Sequence, residues 1–170
     1  TPTLTLTGTW WYGTYYLDNP NATVGHTYSG PNPNPNCGNW CVQGPVVDFR
    51  HSTDNGKTWH EDRIKAEDGG SDNLFAETAA NNNRVKFGAP HWVDFGQEME
   101  DSPDGKAYLV GHGATSPESI QAWMLGDQVY MARVEPTVAA IADKSQWEFY
   151  AGGHGADAKW VTGDVSQAKP

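Results

Sequence analysis

The chain has little cysteine, little positive charge and no long hydrophobic run. Cys37 and Cys41 are the only cysteines among 170 residues, so there is no dense disulfide framework of the kind that holds together very small secreted domains. Their C-x3-C spacing leaves three readings open: a small-loop disulfide in an oxidising compartment, half of a metal site, or two free thiols. Lys and Arg number 11 against 21 Asp and Glu, a formal net charge of −10. Phosphate backbones are gripped by basic surfaces, so nucleic acid is not an expected partner. An acidic surface suits an extracellular or saline setting. No run of about 18 apolar residues occurs, so no helical membrane span is expected. No signal-peptide pattern is present either. The chain opens on Thr1-Pro2 without Met, which reads as a mature form or an excised piece.

What is abundant is aromatic and turn-forming: 8 Trp, 7 Tyr, 5 Phe, 19 Gly and 11 Pro. Short strands joined by turns use this mixture and a helical bundle does not. The length suits one ordinary domain. Leu4–Leu6 alternates with Thr and reads as a strand or a frayed end. Gly8–Leu17 is aromatic and β-rich. Asp18–Gly44 carries Asn-Pro pairs and few apolar residues, and reads as a long loop. Within it, Asn21-Ala22-Thr23 fits a glycosylation sequon. Strands follow at Pro45–His51 and Trp59–Asp62, and polar Lys65–Asn83 reads as a second long connection. Arg84–Phe95 is a strand with Phe87, Ala89, His91, Val93 and Phe95 on one face. Lys106–His112, Asp127–Val134 and Trp147–Ala151 are the next strands, with a helical turn at Val138–Asp143.

The stretch Ser52-Thr53-Asp54-Asn55-Gly56-Lys57-Thr58-Trp59 reads S-x-D-x-G-x-T-W between two strand-like runs. Asp and Ser side chains bond turn backbone, and Gly allows positive φ. The stretch resembles the Asp box of sialidase-type β-propellers. That resemblance implies a structural hairpin between the third and fourth strands of a blade, with Ser52, Asp54, Gly56 and Trp59 as its fixed positions, on the face away from the active site. Trp59 would anchor the turn against the sheet.

The strands group into two four-strand units at a period of roughly 70–80 residues, the pattern of propeller blades. The expected fold class is all-β, with antiparallel four-stranded blades making about two blades of a larger β-propeller. Residues 1–64 form the first blade, 84–151 the second, and 152–170 the start of a next one. Missing propeller blades would complete the ring, and the fragment alone would expose apolar blade faces. A small β-sandwich is the alternative, since strand count does not separate the two.

His91 falls in the first strand of the second unit and His112 at the end of its second strand. Antiparallel pairing would bring them together. Two imidazoles at one pocket can act as base and charge stabiliser. Tyr130 and Arg133 follow on the third strand; Tyr can serve as acid or base, and Arg can neutralise a carboxylate. His91, His112, Tyr130 and Arg133 are therefore the candidate catalytic set, with strand capping, blade packing and ion pairing as their structural alternatives. Trp40 and Trp123 lie in loops on the expected ligand face and suit stacking on a sugar. Glu77 and Asp94 complete the substrate-binding set. Asp94, Glu98, Glu100 and Asp101 form an acidic cluster, either a solvated turn or a structural calcium site, without EF-hand spacing. His26, His51, His60 and His154 read as loop or turn residues. Trp10, Trp11, Trp92 and Trp147 read as core between blades.

A blade with one His in its first strand and another about twenty residues on, at the end of the second, resembles propeller-type polysaccharide lyases, notably ulvan lyases. The resemblance covers Lys86–Arg133 and assigns His91 and His112 to that family's histidine pair. The family's Tyr and Arg come from a later blade, so Tyr130 and Arg133 stand on their chemistry alone. The segments WWYGTY, FRHSTDNGKTW, PHWVDFG and SPDGKAYLVGHG also resemble secreted propellers that act on glycans. The expected function is a secreted, carbohydrate-active polysaccharide lyase cleaving a uronate-containing polysaccharide substrate by β-elimination. A glycoside hydrolase on the same scaffold would need two carboxylates, for which Asp94 and Glu77 are the proposed pair. A non-catalytic glycan-binding propeller would use Trp40 and Trp123.

Overall fold

Where aromatic and β-branched residues concentrate, as in Thr9–Leu17 and Gln128–Val134, strands form. The computed structural model describes residues 4–6, 9–17, 27–29, 42–61, 74–75, 86–113 and 126–170. In the first sheet β1 (Leu4–Leu6), β2 (Thr9–Leu17), β4 (Val42–Ser52) and β5 (His60–Glu61) lie side by side. All three of these pairings are antiparallel. A further strand, β3 (Thr27–Ser29), runs parallel to the end of β2, with Tyr15 opposite Thr27 and Leu17 opposite Ser29. The stretch Asp18–Gly44 is therefore not all loop: β3 lies inside it, and β4 starts at Val42. Three residues beside a Gly-Pro-Asn run give too short a pattern to read as a strand.

The second sheet is an antiparallel meander of β6 (Gly88–Trp92), β7 (Ala107–Gly113), β8 (Gln128–Val134), β9 (Glu148–Tyr150) and β10 (Trp160–Thr162). The tail that reads as the start of another unit supplies β10, which pairs with β9 through Trp160 opposite Tyr150. Between β8 and β9 runs a short helix, α1 (Val138–Ala142), capped by Thr137 Oγ1 accepting from the Ala140 amide at 3.2 Å. The described chain is thus all-β with little helix. Among the described residues no helix is long and apolar enough to cross a membrane.

One expected periodicity fails. Phe87 and His91 do not share a face, because the β6–β7 register shifts between Gly88 and His91. Pro90 sits in that interval and has no N–H to donate to a ladder, which is why proline in sheets gathers at edges and bulges. Phe87 consequently points into the core, fully buried, while His91 is exposed.

The core lies on the inner face of the second sheet, where β4 packs against β6. Leu109, Ala132, Val134 and Phe149 come from the strands, Ile141 from α1, and Trp147 from the turn before β9. Trp147 Nε1 donates to the Ile141 carbonyl at 3.0 Å, so its polar atom is satisfied inside the core. Phe49 of β4 joins this cluster, 4.8 Å from Trp92 and 6.1 Å from Trp147 by ring centroids. Trp92 and Trp147 are therefore core between the sheets, as expected. The side chains of Trp10 and Trp11 lie outside the described residues. Leu74 and Phe75, inside the stretch read as a polar connection, are buried at 4% and 3% exposure. Phe75 packs edge-on to Phe87, Trp147 and Phe149.

Candidate functional site

The Ser52–Trp59 turn joins β4 to β5. Ser52 Oγ accepts from the Gly56 amide at 2.8 Å and donates to Asp54 Oδ1 at 2.8 Å. The Asp54 carboxylate also accepts from the Thr58 amide at 2.8 Å and the Thr58 hydroxyl at 2.6 Å. Asn55 and Gly56 occupy the left-handed region at φ 58 and 80, as an Asn-Gly turn does. The Thr58 bonds, followed by the Ser52 bond, hold the Asp54 carboxyl far below its ordinary range. Ser52 is fully buried, whereas Trp59 remains 40% exposed, a looser anchor than the sequence implies.

The two histidines of the second sheet do come together. His91 stands opposite Val110, and His112 stands opposite Gly88. Paired residues share a face and so do alternate residues on one strand, so His91 and His112 lie on the same outer face. They are diagonal neighbours on adjacent strands, a relation that puts residues about 7–8 Å apart. Both are exposed. The pKa of His91 is lowered, chiefly by partial burial and then by neighbouring positive charge, His112 included. That favours the neutral imidazole, the form a general base needs.

Tyr130 and Arg133 do not join them. Tyr130 pairs with Gly111 and is buried at 7% exposure, on the core face of the sheet. Its hydroxyl donates to Gln128 Oε1 at 2.5 Å, and the Lys86 ammonium sits 5.5 Å from its ring. Arg133 shares the outer face but pairs with Tyr108, while His112 pairs with Val129. Four residues of strand separate the two positions, roughly 13 Å at about 3.3 Å per residue. Arg133 is also occupied. Its Nε donates to Glu148 at 2.5 Å, its Nη1 to Asp104 at 2.9 Å, and its guanidinium lies 4.0 Å over the Trp160 ring. Lys106 adds a 2.8 Å ion pair to the same Glu148 oxygen. Burial pushes the Glu148 carboxyl up, but the bonds from Lys106 and Arg133 outweigh it and leave the pKa lowered.

Asp94 is exposed, and its Oδ1 accepts from the Gly96 amide at 3.0 Å. The neighbouring acidic side chains Glu98, Glu100 and Asp101 are exposed as well. Among the described residues no three His, Cys, Asp or Glu side chains cluster closely enough to hold a metal ion. Trp40, Trp123, Glu77, Cys37, Cys41, His26 and the Asn21 sequon lie outside the described residues.

Sequence reading passed over one pairing and one clamp. His51 and His60 are strand residues, directly opposite on β4 and β5, with rings stacked 5.3 Å apart. Lys86 donates to three backbone carbonyls near the other end of the described chain. Neither carries a motif, since both depend on which strands become neighbours.

These features define an all-β chain of two sheets with an exposed histidine pair on the outer face of the second. No family model, curated protein or solved structure matches this chain.

Proposed function

We propose that this chain belongs to a secreted, carbohydrate-active β-propeller that cleaves uronate-containing polysaccharide by β-elimination. Several observations support the blade reading. The strands β1, β2, β4 and β5 run as an antiparallel order of four, with the Asp-box-like turn between the last two. The strands β6 to β9 repeat that order, and β4 of one sheet packs on β6 of the other.

The observation that carries the chemistry is the shared exposed face of His91 and His112. In the elimination, neutral His91 takes the proton α to the uronate carboxylate. The electron pair of that C–H bond forms the new carbon–carbon double bond as the bond to the leaving oxygen breaks. His112, as general acid, gives a proton to that oxygen. The lowered pKa of His91 supports the division of roles, because base and acid need opposite protonation states.

A second reading, a non-catalytic glycan-binding propeller, is favoured by one observation: Tyr130 faces the core and Arg133 is tied to two carboxylates, so neither assists the pair.

The test is incubation with a panel of uronate polysaccharides, following ultraviolet absorbance of the unsaturated uronate. Absorbance that rises, and fails to rise with His91→Ala or His112→Ala, supports the lyase. New reducing ends without unsaturation would point to hydrolysis and to Asp94 with Glu77. Neither signal would leave the binding reading.

A further inference from the structure

The last eight described residues, Gly163–Pro170, run back across the second sheet. The Gly163 amide donates to the Trp147 carbonyl and the Lys169 amide to the Tyr150 carbonyl, each at 2.8 Å. Between these two points the chain makes a tight turn capped by Asp164, whose Oδ1 accepts from the Ser166 amide at 3.0 Å. Val165 and Ala168 insert into the core at 5% exposure each. Within the turn the Ala168 amide donates to the Val165 carbonyl at 3.0 Å, which leaves that oxygen one further lone pair, and carbonyls at the end of such a turn are the ones left over for outside donors. Three carbonyls, from Val165, Ser166 and Ala168, converge on the Lys86 ammonium at 3.1, 2.7 and 2.8 Å. An ammonium has three N–H donors, so the number of carbonyls matches its donor capacity. The Tyr130 ring lies 5.5 Å away on the cation, and the Asp164 carboxylate is within its electrostatic reach.

The charge on one side-chain atom thus gathers a segment some eighty residues distant in sequence. We propose that Gly163–Pro170 is a strap latched by the Lys86 ammonium, and that removing this one charge releases the strap while the sheets stay folded. Among the described residues the rest of the strap's attachment is two backbone bonds and the buried Val165 and Ala168 side chains, which is little against the entropy of eight ordered residues.

Hydrogen exchange followed by mass spectrometry tests this. In Lys86→Gln, the Ala168 and Lys169 amides should exchange about tenfold faster or more, the scale of losing bonds to a charged group. The β7–β8 amides should keep their protection. Unchanged exchange at Ala168 and Lys169 would overturn the proposal. So would an equal acceleration in β7–β8 or unfolding of the variant, since the ammonium would then hold the whole fold. In Lys86→Ala, added ethylammonium should restore strap protection by filling the carbonyl cradle. Equal restoration by tetramethylammonium, which has no N–H, would overturn the hydrogen-bonded latch.

Discussion

Phe49 of β4 packs against Trp92 of β6 with ring centroids 4.8 Å apart, and this contact joins the two sheets. Trp147 closes the cluster, 5.7 Å from Trp92. Phe49 is the aromatic ring that the described part of β4 gives to the core. Replacing it with Ala removes buried area from both sheets at once. Phe49→Ala should cost about 3–5 kcal/mol, measured by urea denaturation.

Gly111 is held by space, not by conformation. A Cβ at this position would stand 2.7 Å from Phe87 Cα, a backbone atom that cannot rotate away. Gly111→Ala should therefore destabilise the chain by about 1–3 kcal/mol through overpacking. The same denaturation experiment checks it, and an unchanged midpoint would show that β6 can slide away from β7.

In the Asp-box-like turn, Ser52→Ala removes a fully buried hydroxyl and leaves the part-buried Gly56 amide without its acceptor. The expected cost is about 1–3 kcal/mol. Asp54 behaves differently because its folded pKa is depressed. Its contribution is complete above the ordinary carboxylate pKa of about 3.9 and is lost progressively as pH falls from there through the lower folded value. The Thr58 amide resonance should therefore hold its position as pH drops through 3.9 and move only in stronger acid.

His91 obeys the same linkage with the same sign, in a higher pH window. Its folded pKa lies below the ordinary 6.5, so the unfolded chain binds the proton more readily. Stability from this group is full above 6.5 and falls as pH drops through the window down to the folded value. Imidazole NMR titration should place His91 below 6.5, and His112→Gln should move it upward by removing a nearby positive charge. The acid limb of any elimination activity should track His91.

Much of the fold was legible because it is local. The Asn-Gly turn, the aromatic strand at Thr9–Leu17, the turn at Val138–Ala142 and the run of β7, β8 and β9 follow from turn chemistry and alternation. The parts that were not legible depend on long-range partners. Strand β3 is three residues that lie alongside the end of β2. Leu74 and Phe75 have no periodic neighbours, yet both join the core, where Phe75 packs against Phe87 and Trp147. The irregularity at Pro90 turns Phe87 and His91 to opposite faces, which strict alternation over Arg84–Phe95 had placed together. The candidate site shows the same split. His91 and His112 could be paired from strand order alone. Tyr130 could not be separated from them without knowing that its parity faces Gly111 and the core. Arg133 could not be set apart without its partners Asp104 and Glu148.

The measurement that bears most directly on the His91–His112 reading is an NMR titration of the histidine side chains with an unbranched uronate oligosaccharide. Both imidazoles should shift together and saturate at one ligand concentration, while His51 and His60 on the first sheet stay in place. Saturable binding that moves other residues and leaves His91 and His112 unmoved would contradict the account.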